Sequence, residues 1–139
     1  MQQQCLTQLR TLKLSGMVQA AELQWSQPQT YDDLGFDERL GLMVNQELTA
    51  RANKRLQRLI KAARFKVDAQ IEDIDYAHPR GLKKSQLANL ITGEWIIKKQ
   101  NLLITGPTGC GKTYLACAIG RHACHYDHSV RYYPSLIHT

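Results

Sequence analysis

Gly106, Pro107, Thr108, Gly109, Cys110, Gly111, Lys112 and Thr113 carry the clearest chemistry in this sequence. They fit the pattern GxxxxGK[ST] at every fixed position. A chain that wraps a phosphate tail must turn its backbone N–H groups inward. Side chains at the turns then have to be absent, which suits Gly106, Gly109 and Gly111. A helix beginning at Lys112 would add the positive end of its dipole. The Lys112 ammonium would reach the β- and γ-phosphates, and the Thr113 hydroxyl would sit on Mg²⁺. ATP and Mg²⁺ are therefore the expected cofactors. Cys110 is small and need not act chemically, although a helix N-terminus lowers a thiol pKa.

The flanks supply the setting that the motif requires. Residues 101–105 form a short apolar run ending directly in glycine, which predicts a buried strand. A helix is expected from Lys112 to about Tyr126, and a second strand over residues 129–133, with Tyr132 and Tyr133 in the core. Ahead of the loop, Trp95-Ile96-Ile97 either lines an adenine pocket or packs in the core. After Thr113 the one acid is Asp127. It follows a helix and precedes a strand, so it does not suit the second metal-binding position that hydrolysis needs. The expectation is a nucleotide-binding half-site with negligible ATP turnover.

The N-terminal half is helical in pattern. Leu6, Leu9, Met17, Ala20, Ala21 and Leu23 recur at helical spacing, with Ser15-Gly16 predicting a break into two helices and Pro28 closing the segment. Gly35 and Glu38 suit the start of a long helix over residues 37–64. In its second half Ala52, Leu56, Leu59, Ile60 and Ala63 share one arc, and Arg51, Lys54, Arg55, Arg58 and Lys61 share the opposite one. No acid occurs between Glu47 and Asp68. That basic arc is either a solvated face or a contact surface for DNA phosphates; in the second case replacing its cations by Gln flattens the salt dependence of DNA binding. The domain organisation expected is a helical N-terminal domain over residues 1–66, a linker over 67–82 and the N-terminal part of a P-loop ATPase domain over 83–139. The fold class is mainly α, followed by the start of an α/β αβα sandwich.

The composition agrees with these classes. Of 139 residues, 43% are hydrophobic and 22% charged, enough apolar content for a core and too little charge for wholesale disorder. Eighteen Lys and Arg against twelve Asp and Glu leave a net charge of +6, which favours an anionic partner. No run is long enough to span a membrane, and Met1-Gln2-Gln3-Gln4-Cys5 lacks the layout of a signal peptide, so a cytoplasmic protein is expected. Cys5, Cys110, Cys117 and Cys124 offer no CxxC pair, and all four are expected as buried reduced thiols. His122, His125 and His128 are expected as ordinary surface histidines.

Taken in order, Leu12-Lys13-Leu14-Ser15-Gly16-Met17, Phe36-Asp37-Glu38-Arg39-Leu40-Gly41-Leu42, Lys61-Ala62-Ala63-Arg64, Arg80-Gly81-Leu82, Gly93-Glu94-Trp95-Ile96 and residues 101–109 resemble the IstB-like transposition helper ATPases. That family is related to the DnaC-like helicase loaders within the AAA+ class. The resemblance implies ATP-dependent assembly on DNA, a partner transposase and self-assembly in full-length relatives. It carries phosphate-loop roles onto Gly106, Gly109, Gly111, Lys112 and Thr113. The pattern stops about one helix and one strand after the loop, so a truncated copy is expected, with residues 101–139 poorly ordered or aggregation-prone when isolated. A helicase loader, a non-catalytic interaction module and a small P-loop kinase are the rival readings. The long helical region before the loop disfavours the kinase.

Overall fold

The computed structural model describes residues 1–74, 76, 83–105 and 111–134. Its helices are α1 (Gln2–Thr11), α2 (Ser15–Ser26), α3 (Pro28–Tyr31), α4 (Phe36–Ala63), α5 (Lys84–Ile91), α6 (Glu94–Ile97) and α7 (Lys112–His125), with one 3₁₀ turn at Ile71–Asp73. Contacts divide the chain into two units, Met1–Arg55 and Leu56–Thr139. The division falls within α4. The expected linker over residues 67–82 lies in the second unit, and residues 75 and 77–82 of it are outside the described residues.

In the first unit α1 and α2 pack around Leu6, Val18 and Ala21, flanked by Leu9, Trp25 and Met43. The break expected at Ser15-Gly16 is where α2 begins. Leu14, at the N-cap of α2, offers no side-chain acceptor, so the first amides of that helix need a partner from elsewhere. Glu47 of α4 supplies it. One carboxylate oxygen accepts from Gly16 N at 2.9 Å and Met17 N at 3.1 Å, and the other accepts from Arg51 Nε at 2.8 Å. Glu47 is only 7% exposed. The negative charge sits at the positive end of the α2 dipole, where it is favoured.

That contact requires glycine at position 16. A Cβ there would lie 2.6 Å from the Gln46 carbonyl oxygen and 2.6 Å from Glu47 Cα, both backbone atoms that cannot swing aside. Gln24 and Arg39 add a reciprocal pair between α2 and α4. Gln24 Nε2 donates to the Arg39 carbonyl at 3.1 Å, and Arg39 Nε donates to Gln24 Oε1 at 2.9 Å.

The second unit has its core around Ala69, Ile74, Leu87, Leu115, Cys117, Ala118 and Ile119. Arg64 ends α4 with φ 56°, which turns the chain so that Phe65 packs against this core. Among the described residues no strand forms. Residues 101–105, expected as a buried strand, alternate instead. Leu102 and Ile104 pack on the core, while Asn101, Leu103 and Thr105 are exposed, Leu103 at 84%. A strand needs a neighbour to receive its backbone groups, and no described segment lies alongside. Residues 129–133 are likewise not a strand: Tyr132 N donates to the Ala63 carbonyl at the end of α4, at 2.8 Å. Tyr132 packs on the core as expected, but Tyr133 is 77% exposed. Cys117 and Cys124 are buried free thiols, whereas Cys5 is exposed beside an apolar groove lined by Leu9, Trp25, Phe36 and Met43. Leu6 is the only buried residue of α1, so its neighbour Cys5 falls outside the core. No helix among the described residues is long and apolar enough to cross a membrane.

Two measurements check the α2–α4 contact. Gly16→Ala should cost about 2–3 kcal/mol of unfolding free energy through overpacking. Gly41→Ala, in the same helix as Glu47 and with nothing within 4 Å of the new Cβ, should gain about 0.5–1 kcal/mol. Urea unfolding of both reads the difference, and equal effects would discount the close approach. The second measurement is pH-dependent. The Arg51 hydrogen bond, helped by the Met17 and Gly16 amides and opposed by burial, holds the Glu47 carboxyl below its ordinary value. A depressed carboxylate stabilises the fold above its unfolded pKa, about 4.3, and that contribution is lost as pH falls through the lower folded value. Glu47→Gln should therefore lower Tm at neutral pH and flatten the acid limb of Tm against pH below about pH 5; an unchanged acid limb would exclude the linkage.

Candidate phosphate-binding site

Helix α7 presents its first turn as the candidate site. Gly111 is its N-cap, with φ 85°, a left-handed conformation that a side chain disfavours. Its carbonyl accepts from Leu115 N at 3.0 Å, so the helix is properly closed from its first residue. Lys112 and Thr113 are the first two helical residues, both half-buried. Neither side chain has a hydrogen bond or ion pair among the described residues, and both stand at a helix N-terminus that no side chain caps. Gly106, Pro107, Thr108, Gly109 and Cys110 lie outside the described residues.

What holds α7 in place is its buried side. Cys117 and Ala118 are fully buried, and Leu115 and Ile119 nearly so. Gly120 permits a close approach: a Cβ there would meet the Phe65 ring at 2.6 Å and Val130 Cγ1 at 3.3 Å. Arg121 donates from Nη1 to Asp68 Oδ1 at 2.7 Å, tying α7 to the segment before the 3₁₀ turn. Burial raises the Cys124 thiol pKa, partly offset by the Arg121 charge, which leaves it protonated and inert.

The other expected site residues fall elsewhere. Trp95, half-buried, donates from Nε1 to the Leu90 carbonyl at 2.9 Å. With Ile96 and Ile97 it lines a cleft of about 210 Å³ whose other wall is Ile119, His122, Ala123 and Tyr126. Those residues belong to the last part of α7 and its end, roughly 10–20 Å along the axis from Lys112 at 1.5 Å per residue. Trp95 packs around α5 and α6, set along α7 from the phosphate end. Asp127, just past α7, is also at the far end from Lys112. His122 stacks on Tyr126 with ring centroids 5.1 Å apart, and His125 Nδ1 lies 2.9 Å from the Arg121 carbonyl oxygen.

The five residues of the basic arc of α4, Arg51, Lys54, Arg55, Arg58 and Lys61, are all exposed. In the first unit Arg51 pairs with Glu47, and Lys54 Nζ donates to Ser15 Oγ at 3.0 Å. Both therefore contribute to the α2–α4 contact. Arg55 is exposed in the same unit. In the second unit Arg58 and Lys61 carry no ion pair among the described residues. Glu47 had a sequence signal, since it stands four residues before Arg51 on one helix face. Its capping of α2, thirty residues away, had none.

Comparison with known proteins shows the family of the chain. The family described as IstB-like ATP binding protein matches residues 7–137. An insertion sequence IS1162 protein of Pseudomonas fluorescens, inferred to bind ATP, is 47% identical over 133 residues, 95% of this chain and 57% of the relative. The Sinorhizobium fredii protein y4pL, inferred to be an insertion-sequence ATP-binding protein, is 39% identical over 91% of this chain and 51% of its own length. A Mycobacterium tuberculosis insertion-sequence protein, likewise inferred to bind ATP, is 33% identical over 80% of this chain and 44% of its own. The chain thus spans about half the length of the curated relatives it matches. With the family matched over nearly every residue, the chain belongs to the IstB-like ATP-binding proteins.

Proposed function

We propose that the chain is an ATP-binding helper of DNA transposition, acting beside a transposase on the DNA of an insertion sequence. The observation that carries the nucleotide part is Gly111 at φ 85° opening α7, with Lys112 and Thr113 in its first turn and without a partner among the described residues. The residues fit a polyphosphate. Gly111 leaves room for close backbone approach, Lys112 offers a cation, and Thr113 offers a hydroxyl suited to a Mg²⁺ ligand. Gly106, Pro107, Thr108, Gly109 and Cys110 complete the cradle in this reading. A bound ATP–Mg²⁺ supplies a compact negative charge that these donors neutralise. Residues 101–105 and α7 would then be the opening strand and helix of an αβα P-loop domain. The inward alternation of Leu102 and Ile104 supports this.

The transposition part rests on the insertion-sequence names of the relatives, which also favour it over helicase loading. DNA would be held through its phosphates by exposed cations, among them those of α4, in a cytoplasmic setting.

Equilibrium titration with a fluorescent ATP analogue tests the nucleotide reading. Lys112→Ala should weaken binding at least tenfold, about 1.4 kcal/mol, and Thr113→Ala should remove the dependence on Mg²⁺. Both substitutions are at partly solvent-accessible positions at the end of a helix, so folding monitored by circular dichroism should be unchanged. Affinity equal to the parent in Lys112→Ala would reject the site.

A further inference from the structure

Five basic residues of the second unit, Arg58, Lys61, Arg64, Lys66 and Arg131, lie at or near the end of α4. Arg58 and Lys61 are exposed on its last turns. Arg64 and Lys66 flank Phe65; Phe65 turns in to the core, and its two neighbours are exposed. The same alternation occurs in residues 131–133, where Tyr132 packs inward and Arg131 is exposed. The hydrogen bond from Tyr132 N to the Ala63 carbonyl, at 2.8 Å, joins these two stretches. Standard peptide dimensions then put Arg131 Cα within about 5–6 Å of that carbonyl oxygen. Arg131 is thereby brought beside Arg64, although sixty-seven positions separate them in sequence.

None of these five side chains has an ion pair or hydrogen bond among the described residues. Asp68, the nearest acid in sequence to Arg64 and Lys66, is already held by Arg121 at 2.7 Å, and Asp127, four residues before Arg131, is also engaged. The partial negative charge at the C-terminus of α4, about half an elementary charge, offsets little of five. A cluster of like charges without internal counter-charge repels itself, and a polyanion relieves that repulsion. Arg51 and Lys54 differ, since each is bound to a partner within the first unit.

We propose that Arg58, Lys61, Arg64, Lys66 and Arg131 form the surface that takes the phosphate backbone of duplex DNA, and that Arg51 and Lys54 serve the fold of the first unit. This rests on the DNA reading above and narrows it. Contacts of this kind read no bases and are strongly salt-dependent.

The test measures binding of a labelled DNA duplex to the full chain by fluorescence anisotropy over a range of KCl concentrations. Each phosphate contact contributes about 0.9 to the slope of log affinity against log salt. The variant with Arg58, Lys61, Arg64, Lys66 and Arg131 all replaced by Gln should lose about 3 or more from the slope. The variant Arg51→Gln with Lys54→Gln should keep the parent slope and show a lowered Tm. An unchanged slope in the five-residue variant, with binding by the parent intact, overturns the assignment of the surface and leaves the DNA reading standing. An equal loss of slope in the Arg51 and Lys54 variant also overturns it. A parent chain without salt-sensitive DNA binding overturns the DNA reading itself, and this inference with it.

Discussion

The Phe65 ring occupies the space that a side chain at position 120 would need, with a Cβ there only 2.6 Å from the ring edge. That approach lets α7 lie against the chain leaving α4, with Cys117 and Ala118 sealed completely. The position of the candidate phosphate-binding turn follows from it. The helix that Gly111, Lys112 and Thr113 begin is anchored at its middle. The same burial explains the inertness of Cys124 on α7, since a thiol that loses water resists ionisation.

The first unit is organised by a different economy of charge. A carboxylate that is 7% exposed would destabilise the fold if it stood alone. Glu47 instead accepts from two amides of α2 and from Arg51. Each group solves the problem of another: α2 lacks an N-cap acceptor, Glu47 needs donors, and Arg51 gains a fixed partner. Gly16 makes the meeting possible by letting the two backbones touch. Two of the five cations that share the basic arc of α4 are thus drawn into structural work, which a helical wheel does not distinguish from exposure to a partner.

Much of this was legible in the residues. The helix break at Ser15-Gly16, the long α4 and the start of α7 at Gly111-Lys112 were readable because glycine spacing and apolar periodicity are local signals. The strands were a different matter. Leu102-Leu103-Ile104 has the composition of a buried strand, but a strand is completed by a neighbour, and composition does not report whether one is alongside. Tyr132 illustrates the same point: its amide goes to the end of α4, sixty-nine residues earlier, where pattern suggested a ladder. Cys5 was misjudged for a related reason, since cysteine is usually buried but α1 buries only Leu6. Arg131 beside Arg64 and Glu47 beneath α2 are long-range pairings with no periodic trace.

The nucleotide and the DNA would occupy separate chemistries in this account. A compact polyphosphate suits a helix N-terminus with one lysine and one hydroxyl; an extended phosphate backbone suits a spread of uncommitted cations at a helix end. The central claim is that phosphates are received at the first turn of α7, at the opposite end of that helix from the cleft around Trp95. Amide hydrogen exchange of the full chain, with and without ATP–Mg²⁺, tests it directly. The account predicts slowed exchange concentrated over residues 106–115, with Trp95, Ile96 and the end of α7 unaffected. Protection confined to the Trp95 cleft, with none at Lys112 and Thr113, would contradict it.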